Sequence, residues 1–125
     1  MPILGFTVLK EKLVSHEKCQ TIRLPRKHPF KEGDHLFIYW HMRQKDCEKL
    51  GEGIITEIVR KNSASMTQTD ALRDGFRDGI CPFLKDKRWK GQTAFAYVNL
   101  ARALREMHPE TNEFTIFDVI TWRWL

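Results

Sequence analysis

Proline at position 25 closes the alternating run 20–24, because its ring removes a ladder donor and holds the preceding residue in extended geometry. A strand that must stop there places Thr21 and Arg23 on one face and leaves Lys18 at its entry. Residues 3–6 read as a first strand, 35–42 as an aromatic and branched strand after the Gly33-Asp34 turn, 53–59 as its antiparallel partner, and 114–125 as a closing strand. Helical signals fall between them. Thr7 is placed to cap a helix through residue 15 with Leu9 and Leu13 at i and i+4, and Thr67 or Thr69 to cap a short helix ending at Gly75. Residues 92–108 carry apolar side chains at helical spacing before Pro109. Strands interrupted by short helices, without regular alternation of the two, predict an α+β fold in which a mostly antiparallel sheet curves or closes into a small barrel.

A chain of 125 residues fits one domain, and no repeat, linker or low-complexity stretch divides it. Its net charge of +5 and pI near 9.3 favour a polyanionic partner or, more simply, a basic surface of solvated lysines. Cys19, Cys47 and Cys81 form no Cys-x-x-Cys pair, so neither a disulfide framework nor a zinc knuckle is encoded, and a reducing cytoplasm is the expected setting. The apolar run 3–9 is broken by Gly5 and Thr7 and reads as part of the fold, not as a signal peptide. No stretch approaches the ~20 apolar residues of a membrane span.

Several features recur in one order: the Gly5-Phe6 strand, a short helix, Lys18-x-x-Thr21-x-Arg23, a basic loop, Gly33-Asp34, Gly51-Glu52-Gly53-Ile54-Ile55, Asp74-Gly75-Phe76 and a C-terminal apolar strand. Over roughly the whole chain this order resembles the ASCH domain, a small relative of the PUA fold. The resemblance implies a PUA-like barrel with flanking helices and a cleft at Lys18, Thr21 and Arg23. Many PUA-like domains bind RNA, which makes RNA or a nucleotide the first expected partner. ASCH proteins similar to the amidohydrolases of N-acetylated cytidine use a lysine and a threonine of this motif with a downstream glutamate. Here Lys18 and Thr21 match, while Asp74 stands where that glutamate is expected and is one methylene shorter. Displacement of a catalytic group by ~1 Å costs on the order of 100-fold. The family also implies two other classes, a ribonuclease and a coactivator-like module that binds another protein.

The residues support these roles on chemical grounds. Thr21 would attack an acyl carbon, Lys18 would take its proton, and Asp74 or a backbone amide would position the base. Each has a plainer reading: Lys18 as an exposed turn lysine, Thr21 as a strand former, and Asp74 as a helix-end residue beside a capping glycine. Arg23 suits a phosphate or base contact, or else a structural ion pair such as one with Asp34. A second feature is electrostatic. Arg23, Arg26, Lys27, His28 and Lys31 lie within nine residues, and Lys85, Lys87, Arg88 and Lys90 flank Trp89. Cations beside an exposed aromatic grip single-stranded nucleic acid, whereas the same loop could simply be solvated with Trp89 turned into the core. The five histidines lack paired carboxylate or thiolate spacing, and His35 and His41 are too far apart in sequence to share an ion, so no metal is expected. No cofactor-binding glycine loop is present.

Overall fold

The computed structural model describes residues 3–7 and 9–125. Val8, which belongs to both the apolar run 3–9 and the expected first helix, lies outside the described residues. In chain order the elements are β1 (Ile3–Phe6), α1 (Lys10–Val14), β2 (Gln20–Arg23), β3 (His35–Trp40), β4 (Glu48–Asn62), a 3-10 turn (Ser63–Ser65), α2 (Gln68–Arg73), β5 (Gly79–Ile80), β6 (Thr93–Ala94), α3 (Ala96–Met107) and β7 (Ile116–Trp124). The chain is therefore α+β. It divides into two compact units, Met1–Val59 with Asp118–Leu125, and Arg60–Phe117.

The first unit is organised by a mostly antiparallel sheet of order β1-β3-β4-β7-β2. β1 meets β3 in parallel; β3 meets β4 antiparallel with Leu36 opposite Gly53, as the strand pattern predicts, and β7 meets β2 antiparallel with Asp118 opposite Arg23. Alternate residues of these strands, including Leu4, Phe6, Leu36, Ile38, Ile55, Ile120 and Trp122, pack with Leu13 of α1 into one core. The close approach of β7 to β4 depends on glycine. A Cβ at Gly53 would lie 2.8 Å from Trp122 Cδ1 and 3.0 Å from the Arg123 carbonyl, and one at Gly51 would lie 2.8 Å from Trp124 Cζ3. The sheet curls, and among the described residues β1 and β2 remain its two edges with no ladder joining them.

Two expectations are corrected here. Thr7 does not cap α1: the helix begins at Lys10, its N-cap Leu9 sits at φ 62° and offers no side-chain cap. Its end is better determined, because the Glu17 and Lys18 amides both donate to the Lys12 carbonyl, at 2.9 and 3.0 Å. The long helix starts at Ala96 and not at residue 92, since Thr93 and Ala94 pair with Ile80 and Gly79.

In the second unit Thr67 caps α2 as expected, and it does so reciprocally: Thr67 Oγ1 accepts from the Asp70 amide at 3.1 Å while Asp70 Oδ2 accepts from the Thr67 amide at 3.0 Å. The same Asp70 carboxylate takes Lys61 Nζ at 2.8 Å. Phe95 gives α3 no side-chain cap; Asp78 Oδ1 accepts the Ala96 amide at 2.8 Å and Gln68 Oε1 the Tyr97 amide at 3.1 Å instead. Asn99, fully buried on α3, donates from Nδ2 to the carbonyls of Arg77, Gly79 and Ala94, and so ties the β5–β6 ladder to the helix.

Candidate functional site

The backbone at Lys18 is pinned from both sides, by the Lys12 carbonyl at its amide and by Trp124 Nε1, which donates to the Lys18 carbonyl at 2.9 Å. Trp124 is itself covered by His16, whose ring stacks on it at 4.1 Å. With its backbone fixed, Lys18 carries its side chain inward. Only 5% of the residue is exposed, and Nζ lies 5.8 Å from the centre of the Phe6 ring. This differs from the exposed turn lysine that composition alone suggests.

Three residues later the β2 alternation directs Thr21 and Arg23 to the same sheet face. Arg23 Nε donates to Thr21 Oγ1 at 3.0 Å, its Nη2 donates to the Gly5 carbonyl at 2.6 Å, and its Cζ lies 4.8 Å over the Phe6 ring. One side chain thus spans from β2 to β1, the two edges of the curled sheet. The ring of Phe6 is shared by two cations, an arrangement whose attraction to the aromatic face offsets part of their mutual repulsion. Asp34, the alternative partner considered for Arg23, turns on its own loop and accepts the Lys31 amide at 2.9 Å.

A carboxylate also enters this cluster, and sequence reasoning missed it. Asp118 on β7 is 4% exposed and stands directly opposite Arg23 in the β2–β7 register, so both side chains occupy one sheet face. The available signal was an aspartate interrupting the apolar run Phe117-Asp118-Val119-Ile120, where a strand former is ordinarily found. Lys18, Thr21, Arg23 and Asp118 together form a largely buried polar group beside Phe6, with hydroxyl, amine, guanidinium and carboxylate within one unit.

The basic loop between β2 and β3 is anchored but its charges stay outside. Arg26 lies 4.4 Å over Phe30, which is buried in the core, and the Gly33 amide donates to the Ile55 carbonyl at 2.8 Å. Arg26, Lys27 and Lys31 are exposed. The first unit therefore brings together Lys18, Thr21 and Arg23, with Arg26, Lys27 and Lys31 on the loop that follows them.

Asp74, Arg88 and Trp89 belong to the second unit. Asp74 is the buried C-cap of α2; its amide donates to the Asp70 carbonyl at 3.0 Å, and the Gly75 amide to the Leu72 carbonyl at 3.1 Å. Arg88 and Trp89 border an open cleft of about 680 Å³ between the 85–89 loop and the end of α3. Trp89 is half-buried, with the Arg88 Cζ 4.4 Å above its ring. Hydrogen bonds from the Arg88 side chain and amide hold the Asp86 carboxyl below its usual range.

Several ionisable groups elsewhere pair with one another. Hydrogen bonds from Lys49 and then His35 hold Glu52 low, and His41 Nδ1 lies 2.7 Å from Asp46. Among the described residues no three His, Cys, Asp or Glu side chains are grouped to hold a metal ion. Cys19 is half-buried, Cys47 exposed and Cys81 buried, all unpaired; burial pushes the Cys81 thiol up. No helix among the described residues is long and apolar enough to cross a membrane. The chain matches none of the protein-family models, curated proteins or solved structures with which it was compared.

Proposed function

We propose that the chain is a cytoplasmic ASCH domain with a PUA-like barrel, and that it binds RNA or a nucleotide at the Lys18, Thr21 and Arg23 cluster. The observation that carries this reading is the convergence of a buried lysine and a guanidinium on one Phe6 ring, next to a loop that displays Arg26, Lys27 and Lys31. Two cations held in place by backbone and aromatic contacts give the cluster positive groups beside the Asp118 carboxylate, and the loop adds charge that steers a polyanion toward it. The test is titration with a short single-stranded RNA by the wild type, by Arg23→Ala, and by a variant with Arg26, Lys27 and Lys31 changed to alanine. Affinity falls in both variants and weakens with added salt. Unchanged affinity in both refutes the assignment.

One observation favours a second reading as an amidohydrolase of N-acetylated cytidine. The Arg23 Nε–H that donates to Thr21 Oγ1 would stabilise negative charge as that oxygen attacks an acyl carbon. In this reading Lys18 takes the threonine proton and a backbone amide orients it. Release of cytidine from N-acetylcytidine, lost in Lys18→Ala and in Thr21→Ala, supports the reading; full turnover by Lys18→Ala removes it.

A further inference from the structure

The cleft of the second unit contains a cationic platform whose construction differs from that of a solvated loop. Its two carboxylates are already committed. Glu106, on α3, accepts the Lys85 amide at 2.9 and 3.0 Å through its two oxygens and the Asp86 amide at 2.5 Å. Asp86 in turn accepts from the Arg88 amide at 2.8 Å, from Arg88 Nε at 3.1 Å and from Arg88 Nη2 at 2.9 Å. The loop is also closed on itself by the Trp89 and Lys90 amides, which donate to the Asp86 carbonyl at 3.0 and 2.9 Å.

These bonds fix the plane of one guanidinium. Arg88 is held by two of its nitrogens on one carboxylate and lies over Trp89, yet its side chain is 72% exposed, so the guanidinium face turned away from the indole is open. A second guanidinium, Arg102, lies 5.7 Å from the same ring. Lys85 and Arg105 line the same cleft. Its volume of about 680 Å³ is within the usual range for small-ligand sites.

We propose that this cleft is a second nucleic-acid contact, in which an unpaired base stacks on the open face of Arg88 and the adjoining phosphate is held by Lys85 and Arg105. A planar guanidinium is a stacking surface for any base, and the Trp89 ring below it keeps it flat at little entropic cost. Binding here is accordingly tolerant of sequence and sensitive to salt. The ligand class rests on the RNA reading above, whereas the site itself is independent of the Lys18 cluster.

The experiment follows the four tryptophan indole N–H signals by NMR during titration with a single-stranded RNA of about eight nucleotides, a length within the site sizes of single-strand binders. Inorganic phosphate is titrated in parallel. The expected result is a saturable shift of the Trp89 signal that persists in Arg23→Ala and weakens about tenfold in Arg88→Ala, the lower part of the range for loss of one stacked base. Arg105→Ala weakens it as well. A shift equally produced by phosphate alone overturns the stacking site, as does full affinity in Arg88→Ala. RNA binding that leaves the Trp89 signal still and disappears in Arg23→Ala refutes this proposal while sustaining the first cluster. A Trp89 response that survives when the first cluster binds nothing does the reverse.

Discussion

Arg23→Ala removes the side chain that spans the two edge strands, and the structure allows the loss to be sized. A charged hydrogen bond to the Gly5 carbonyl at 2.6 Å and one to Thr21 Oγ1 at 3.0 Å disappear, each of a kind that contributes about 1.5–3 kcal/mol. The contact with Phe6 adds about 0.5–2 kcal/mol. The three share one side chain and are not additive, and Arg23 is only half-buried, so water recovers part of the loss; about 3 kcal/mol is the expected total. With an unfolding entropy of about 2.1 cal/mol/K per residue over 125 residues, that lowers Tm by about 11 °C. Arg23→Lys keeps the charge but not the fork and falls about halfway. Thermal melts followed by circular dichroism, checked by urea midpoints, measure both. A fall of less than about 3 °C in Arg23→Ala refutes the bridging role. It also follows that binding by this variant must be assayed well below its own Tm.

Three further outcomes follow from particular contacts. Gly53→Ala forces a Cβ against Trp122 and the Arg123 carbonyl and costs about 1–3 kcal/mol by overpacking, read as a lower urea midpoint; an unchanged midpoint contradicts the β4–β7 approach. Burial alone would raise the Asp70 carboxyl, but Lys61 and the Thr67 amide outweigh it and hold it below the usual range. Its stabilisation is therefore present above the unfolded carboxylate pKa of about 3.9 and lost as pH falls through the lower native value, so Asp70→Asn loses less stability than the wild type between neutral pH and strong acid; parallel losses refute this. Glu106→Ala frees the Lys85 and Asp86 amides, whose hydrogen exchange accelerates about tenfold or more. Unaltered protection contradicts the staple.

What could be read from sequence was mostly what local chemistry decides. Pro25 and the alternation before it place β2 at Gln20–Arg23, and Thr67 with Gly75 brackets α2, because caps and prolines act within a few residues. The strand 53–59 was read too short: β4 runs Glu48–Asn62, since pairing with its neighbours overrides the poor strand preference of its Lys, Glu and Asn residues. The first helix forms but starts later than its sequence suggests, at Lys10, as Leu9 adopts a left-handed conformation that its side chain does not favour. At the site, Lys18, Thr21 and Arg23 were legible from spacing along one strand. Asp118 needs the knowledge that β7 lies beside β2, and Phe6 needs the fact that both edges of a curled sheet reach one ring, and neither is encoded locally. Glu106 reaches the 85–86 amides from twenty residues away, a contact with no sequence period.

The most direct measurement is the salt dependence of affinity for a short single-stranded RNA. If the Lys18 and Arg23 cluster with its basic loop engages about three phosphates, log K falls with log salt at a slope of about −2, or roughly 20-fold between 50 and 200 mM, and the slope is shallower when Arg26, Lys27 and Lys31 are alanine. Absent binding, or binding indifferent to salt, contradicts the proposed function.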